Sequence, residues 1–138
     1  MKQPRRPVPA SAGFDVRDLD DFTVGFLAAA VWEGGYDESH GIDRIAAEAV
    51  ARAEEDCAAF QREHAGGLEL FYRLVAQKGD CEDREALGGY CFWMSRVGAG
   101  VGFWDRVDDP VGDRLHTATE VFGHVDLYEG DDGQLYFS

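Results

Sequence analysis

Apolar residues recur every three or four positions through most of this chain, the spacing that places them on one face of an α-helix. The pattern predicts a first helix that begins with Asp15 as its N-cap, with Phe14 packed on Leu19, and that ends at Gly34-Gly35. Its inward face consists of Leu19, Phe22, Thr23, Phe26, Leu27 and Ala30. One side of this helix is therefore expected to lie in a core.

The most regular stretch of the chain predicts a second helix, which Gly66-Gly67 is expected to end. Its alanine content favours helix formation. Its apolar stripe contains Ile42, Ile45, Ala46, Ala49, Val50, Ala53, Cys57 and Phe60. The other faces carry acidic residues, namely Glu48, Glu54, Glu55, Asp56 and Glu63. The pattern thus predicts a row of carboxylates on the outer surface of this helix.

Three more helices follow, each bounded by a glycine or an acidic cap. They are predicted over residues 68–78, with Gly79 as the end, over 83–97, and over 111–122. In the middle one, Gly88-Gly89 would let a neighbouring helix approach closely. Their inward positions are Leu68, Phe71, Leu74, Val75, Leu87, Tyr90, Cys91, Met94, Leu115, Ala118, Thr119 and Phe122.

The last fourteen residues or so change to a period of two. Val125 and Leu127 alternate with polar or aromatic positions, and a second short run ends at Phe137. This alternation predicts a β-hairpin with Asp132-Gly133 at the centre of its turn. Because an isolated hairpin is marginal in water, it is expected to lie on the helices. The predicted fold is α+β, a mainly helical single domain of about five helices with a C-terminal β-hairpin packed on them.

The charge of the chain is uneven. The formal net charge is −14 over 138 residues, but residues 1–17 carry +3 and the remainder carries −17, from 9 basic and 26 acidic residues. Residues 1–13, with three prolines, are predicted to be a flexible basic arm, and residues 14–138 a single compact acidic domain. Such a body repels DNA, RNA and anionic membranes and attracts basic surfaces. Solubility is the alternative explanation, although a magnitude of about 2–8 suffices for a small domain.

No cofactor or metal is expected from the sequence. Cys57, Cys81 and Cys91 form no CxxC pair, and the four histidines are scattered, so the thiols are interpreted as reduced and mostly buried. The longest apolar run, residues 24–32, is too short to span a bilayer, and the N-terminus has no apolar signal segment. These features predict a cytoplasmic protein.

The segment FWMSRVGAGVGFWDR, residues 92–106, sets two Phe-Trp pairs around a series of glycines. The glycines have the spacing G-x-G-x-G and follow a helix rather than a strand, which excludes a dinucleotide fingerprint. No Lys-Ser/Thr follows, which excludes a phosphate loop of the Walker type. Arg96 and Arg106 are outnumbered by nearby carboxylates, which argues against a platform for single-stranded nucleic acid.

A structural interpretation of this segment accounts for more of its residues. Gly98, Gly100 and Gly102 permit a tight turn. The aromatic residues on both sides of the turn are predicted to be buried and to hold the turn closed by packing in the core. They are Phe92, Trp93, Phe103 and Trp104. Arg96 and Arg106 are expected to pair with neighbouring carboxylates. Replacement of a buried Trp104 by Ala would then cost about 3–5 kcal/mol of stability.

Three segments in order carry a family resemblance. FWMSRVGAGVGFWDR, then GDRL with Gly112 and Asp113, then FGHVDLYEGDDGQLYF resemble a family of small acidic proteins of uncharacterised function encoded by phages and prophages. The similarity covers residues 92–137 closely and the first helix more loosely through LAAAVW. Val97 and Ala99 stand where Asn and His are common in the family. The resemblance implies a viral or mobile-element origin and brings no activity with it.

Two classes of function remain. The first is a non-enzymatic acidic binding protein that mimics DNA and inhibits a basic, nucleic-acid-binding host defence complex of the restriction or CRISPR type, without binding nucleic acid itself. Its candidate contact residues are Glu48, Glu54, Glu55, Asp56, Asp105, Asp108 and Asp109. The alternatives are a small metal-dependent hydrolase that uses the acidic loop 105–113, and an accessory phage protein without a role in defence. No catalytic residue is assigned, because Ser95 has no histidine at a predictable distance.

Overall fold

A computed structural model describes residues 18–36, 41–79 and 83–138 of the chain. The described residues form five α-helices: α1 (Asp21–Glu33), α2 (Ala47–Glu63), α3 (Ala65–Lys78), α4 (Arg84–Val97) and α5 (Pro110–Ala118). Short 3₁₀ turns at Ile42–Arg44 and Thr119–Phe122 precede α2 and follow α5. An antiparallel hairpin of β1 (Leu127–Glu129) and β2 (Leu135–Phe137) ends the chain. The predicted α+β architecture is confirmed, and the basic arm lies outside the described residues.

The first helix begins later than the sequence pattern predicts. Its N-cap is Asp20, whose Oδ1 accepts the backbone N–H of Thr23 at 2.8 Å. Partial burial opposes ionisation of Asp20, but hydrogen bonds from Thr23 and Gln61 hold the pKa of this carboxyl below its usual value. The predicted N-cap Asp15 lies outside the described residues, and so does Phe14, which was predicted to pack on Leu19. Several aspartates lie close together here, and each could cap the helix, so the sequence alone does not decide at which of them the helix begins.

The predicted boundary between the second and third helices is wrong by a few residues. Helix α2 ends at Glu63, and both Gly66 and Gly67 lie in the first turn of α3. A Cβ at Gly67 would lie 3.2 Å from Leu115 Cδ2, so the missing side chain lets α3 pack close to α5. This glycine serves packing between helices. Gly79, with φ of 70°, ends α3 as predicted.

Helices α1 and α4 cross in direct backbone contact. A side chain at Gly89 would overlap the backbone of Phe22 and Phe26, and one at Gly25 would overlap the backbone of Ala86. The close approach predicted for the glycine pair of α4 is therefore confirmed. It lets the two helices share a long buried seam.

Aromatic rings fill the core beside this crossing. Phe60 stacks on Phe92 with centroids 4.5 Å apart and on Phe103 at 5.7 Å. Trp93 is fully buried and donates its indole N–H to Glu33 Oε1 at 3.2 Å. Cys57 and Cys91 are buried free thiols, and Cys81 lies outside the described residues. Desolvation in this core raises the pKa of the Cys57 thiol.

One member of the two Phe-Trp pairs is not in the core. Phe92, Trp93 and Phe103 are fully buried, as predicted, but Trp104 is 44% exposed. Asp105 accepts the N–H of Gly102 and so closes a short turn that directs Phe103 inward and leaves Trp104 at the surface. The prediction that Trp104 is buried is wrong.

The glycines between the two pairs adopt conformations that other residues rarely adopt. Gly98, Gly100 and Gly102 have φ of 76°, 81° and 154°. Gly98 is also the left-handed C-cap of α4. The tight glycine turn predicted from the sequence is confirmed.

Arg96 joins distant parts of the chain from inside the core. Only 4% of this residue is exposed, and its Nη1 lies 3.0 Å from Asp56 Oδ2 on α2. Its Nε donates to Gly123 O at 3.1 Å and its Nη2 to Phe122 O at 3.0 Å. Burial lowers the pKa of Arg96, and the negative charge of Asp56 opposes that shift. The predicted pairing of Arg96 with a carboxylate is confirmed, through Asp56.

Arg106 behaves differently from Arg96. Its guanidinium carbon lies 5.4 Å from the centroid of the Tyr90 ring. Its backbone oxygen accepts a hydrogen bond from Lys78 Nζ at 2.7 Å. Among the described residues no carboxylate forms an ion pair with it, so the pairing predicted for Arg106 is wrong and stacking on Tyr90 takes its place.

The hairpin packs on the helices as predicted. Leu135 is fully buried, and its carbonyl accepts the N–H of Ala46 at 2.9 Å, just before α2. Gly133 donates its N–H to Gly130 O at 3.0 Å and has φ of 80°. The turn is thus centred on Asp131-Asp132 with Gly133 in the left-handed position, one residue earlier than the predicted centre.

Removal of the Asp56 charge tests the importance of the buried pair. Asp56→Asn keeps the side-chain shape but leaves the buried Arg96 cation without its counter-ion. We expect a loss of about 2–3 kcal/mol in the free energy of unfolding by urea, between the values for exposed and fully buried pairs. The matched control Glu55→Gln removes an exposed charge one residue away and should cost less than about 0.5 kcal/mol. Equal losses in the two variants would contradict the account.

The two tryptophans of the motif give a second prediction. Trp93→Ala should reduce the free energy of unfolding by about 3–5 kcal/mol, since it empties a fully buried site. Trp104→Ala should cost less, about 1–2 kcal/mol, because 44% of this residue is already exposed. Urea denaturation of both variants measures the difference, and a large loss for Trp104→Ala would show that its ring is packed in solution.

Candidate acidic interaction site

The first group of candidate contact residues lies on α2. Glu48, Glu54 and Glu55 are exposed there, which agrees with the sequence pattern. Asp56 is half-buried and engaged by Arg96. A substitution of Asp56 therefore acts on the fold, whatever it does to a partner.

Two arginines interrupt the acidic surface of α2. Arg52 and Arg62 are exposed, and at 100° per residue they share a face with Glu48 and Glu55. Arg52 Nη1 also donates to the backbone oxygen of Ser138 at 3.3 Å. The predicted row of carboxylates is broken by cations, and α2 presents a surface of mixed sign.

The second group lies between α4 and α5. Asp105 and Asp108 are exposed, and Asp109 is half-buried at the start of α5. A cavity of about 410 Å³ is lined by Trp104, Val107, Asp108, Asp109, Pro110 and Asp113. The fold thus brings the exposed indole and three carboxylates to one opening.

Hydrogen bonds fix this loop at both of its ends. Asp105 Oδ1 accepts the N–H of Gly102 at 2.8 Å, and Asp109 Oδ1 accepts the N–H of Val111 at 2.9 Å. The second bond makes Asp109 the N-cap of α5, where it satisfies an amide group that the helix leaves free. In each case the bond engages one oxygen of the carboxylate.

Packing fixes the middle of the loop. The Phe103 ring lies between Phe60, at 5.7 Å, and Phe71, at 5.1 Å between centroids. A Cβ at Gly112 would lie 2.8 Å from the backbone oxygen of Phe103. Gly112 therefore lets α5 lie directly on the loop and sets Asp113 beside the cavity. This contact gives a physical reason for the Gly-Asp pair in the sequence motif.

Some carboxylates in the described part of the chain are paired with cations, whereas Asp108 and Asp113 of the loop are not. Glu129 pairs with Arg44 at 2.9 Å and Glu85 with Arg84 at 3.2 Å. Asp108 and Asp113 form no ion pair with any described arginine, lysine or histidine. Both side chains are exposed to the solvent.

The geometry bears on the possibility of a metal site. Mg²⁺ and Ca²⁺ require several oxygen ligands that converge at about 2.0–2.6 Å. Within residues 18–36, 41–79 and 83–138, no group of three or more His, Cys, Asp or Glu side chains is arranged to hold a metal ion. The loop carboxylates share a cavity without converging on one point.

A serine–histidine contact that no sequence pattern indicated connects α4 to α5. Ser95 Oγ lies 3.0 Å from His116 Nδ1, at a cavity of about 240 Å³. The Thr119 hydroxyl donates to the backbone oxygen of His116 at 2.7 Å. A nucleophilic serine also needs a group that orients the base. No described carboxylate bonds to the other ring nitrogen of His116, so the contact is best explained as a hydrogen bond between helices.

The outer face of the hairpin carries a second combination of aromatic and acidic groups. Tyr128 is 48% exposed, and its ring stacks on Tyr136 with centroids 5.8 Å apart. The Tyr136 hydroxyl donates to Asp132 Oδ2, which lowers the pKa of Asp132 and raises the pKa of Tyr136 to about 12. The carboxylate of Asp132 is thus already engaged by its neighbour.

Trp32 is the other exposed tryptophan of the described residues, with 56% of its surface in contact with solvent. It lines a groove of about 540 Å³ between α1 and α4, together with small and apolar side chains, Asp83 and Arg106. The groove contains one acidic and one basic residue, so its charge is balanced. Trp93 is buried and does not line this groove.

No helix in the described part of the chain has both the length and the apolar content needed to cross a membrane. Comparison of the chain with protein-family models, with curated proteins and with solved structures finds no match. The candidate site therefore rests on its own geometry: an exposed tryptophan held beside three carboxylates by a loop that is fixed at both ends.

Proposed function

We propose that this protein is a non-enzymatic acidic binding protein that occupies a basic, nucleic-acid-binding surface of a partner protein. The observation that carries the proposal is the charge of the body, −17 over residues 18–138, together with the exposure of most of its described carboxylates. A surface of this sign is attracted to the same lysines and arginines that bind phosphates. Occupation of that surface would exclude nucleic acid.

The distribution of cations strengthens the proposal. Arg96 is buried, and Arg44 and Arg84 are paired with carboxylates. These arginines are thus compensated locally, whereas Asp108 and Asp113 form no ion pair with a described residue. The loop 105–113 contains four carboxylates and one arginine, Arg106, whose guanidinium lies over the Tyr90 ring, so the net charge of the loop is negative.

The resemblance to phage-encoded proteins supplies the class of partner in this proposal. Restriction enzymes and CRISPR surveillance complexes bind nucleic acid through basic surfaces and act against phages in the host cytoplasm. An acidic protein that competes for such a surface would inhibit the complex without a catalytic step. Association would be fast at low salt and would weaken as salt screens the charges.

Affinity capture with DNA competition tests the proposal. The full chain is immobilised and exposed to a bacterial lysate at low salt. We expect it to retain basic nucleic-acid-binding proteins, which duplex DNA then elutes and which are lost as salt rises from about 0.05 to 0.5 M. The chain itself should not shift duplex DNA in a gel. An uncharged polymer at equal mass concentration is the control for the elution.

Two results would contradict the proposal. The first is a partner that stays bound at high salt and ignores duplex DNA, which would indicate an apolar interface. The second is direct binding of DNA by the chain, since a mimic competes with nucleic acid and does not bind it.

A further inference from the structure

We infer that the cavity beside Trp104 receives the side chain of an arginine from the basic partner. The guanidinium would stack on the exposed indole and meet the carboxylates of Asp108, Asp109 and Asp113, which line the same cavity. The inference rests on the proposed function for the nature of the partner. The preference of the cavity for a cation is argued from the residues that line it, independently of the partner.

The exposure of Trp104 is the first observation. A tryptophan buries a large apolar area when it packs in a core, yet this ring is 44% exposed next to the fully buried Phe103. The loop around it is fixed by the hydrogen bond of Asp105 to Gly102 and by the bond of Lys78 to Arg106. The indole is therefore held at the surface in advance, as binding anchors at protein interfaces are.

Charge complementarity is the second observation. Three carboxylates line the cavity, and Asp108 and Asp113 have no ion-pair partner among the described residues. The start of α5 contributes about half a positive charge at the same place. The negative charge of the three carboxylates is several times larger than this partial positive charge, so the cavity favours a cation.

The arrangement of the groups that line the cavity favours an organic cation over a metal ion. The described carboxylates do not converge as metal ligands would. A guanidinium is planar and larger than a metal ion, stacks on aromatic faces and donates hydrogen bonds to carboxylates in its own plane. A lysine ammonium offers a point charge without the flat face, so arginine fits the combination of indole and carboxylates better.

The other exposed aromatic groups lack one part of this combination. The groove of Trp32 has a balanced charge because Arg106 accompanies Asp83 there. On the hairpin, Asp132 is already hydrogen-bonded to Tyr136. Trp32 thus provides a matched control, since it is an exposed indole beside a single carboxylate and an arginine.

The test is a titration of the full chain with a hexa-arginine peptide. The ¹H–¹⁵N indole signals of the three tryptophans report which ring is contacted. We expect a saturable shift of the Trp104 signal, and we expect hexa-lysine to bind more weakly. Trp104→Ala should weaken hexa-arginine binding about tenfold, as expected for loss of a cation–π contact of 1–2 kcal/mol, whereas Trp32→Ala should leave it unchanged.

Several results would overturn the inference. Equal affinities of Trp104→Ala and Trp32→Ala would show that the cavity is not the contact. An equal response to hexa-lysine would overturn the assignment of arginine. If DNA-competed capture of basic proteins is unchanged in Trp104→Ala, the inference fails and the proposed function stands. If Trp104-dependent peptide binding is found but no basic protein is captured, the proposed function fails and the cavity remains a cation site.

Discussion

The buried guanidinium of Arg96 is the interaction on which the arrangement of this protein depends. A cation in a core of phenylalanine rings is stable only if its donors are satisfied and its charge is compensated. Asp56 compensates the charge from α2, and the carbonyl oxygens of Phe122 and Gly123 satisfy two donors from the turn after α5. Two segments far apart in sequence, α2 and the turn after α5, are thus attached to one side chain of α4.

This attachment determines where the loop between α4 and α5 can lie. Gly98 ends α4 just after Arg96, and Asp109 caps α5. Between these two helices Phe103 enters the core, and Trp104 remains partly exposed at the surface. The same constraint that stabilises the fold therefore presents the tryptophan and its carboxylates as a preformed surface.

Features with local causes could be predicted from the sequence. Gly79 and Asp83 act through their own backbone or side chain, and their roles as helix boundaries were predictable for that reason. Gly67 misled the prediction because its role is a contact with Leu115, which lies far along the chain. The two Phe-Trp pairs are identical as dipeptides, and only tertiary packing makes Trp93 buried and Trp104 exposed.

In the candidate site, too, local features could be predicted from the sequence and features that depend on tertiary packing could not. The sequence established the excess of negative charge, but it could not show that Asp56 is engaged by a residue forty positions away. It also could not show that the cations of α2 share a face with its carboxylates, because helix orientation decides which face is free. The contact of Ser95 with His116 depends on how α4 and α5 meet, which no local pattern encodes.

We propose that the loop carboxylates, rather than those of α2, attract the positive charge of a partner. The most direct measurement is the salt dependence of hexa-arginine affinity for the wild-type chain, Asp108→Asn/Asp113→Asn and Glu54→Gln/Glu55→Gln, which change the net charge equally. We expect a shallower dependence of log Kd on log salt for the loop variant and an almost unchanged slope for the α2 variant. Equal slopes for all three proteins would contradict it.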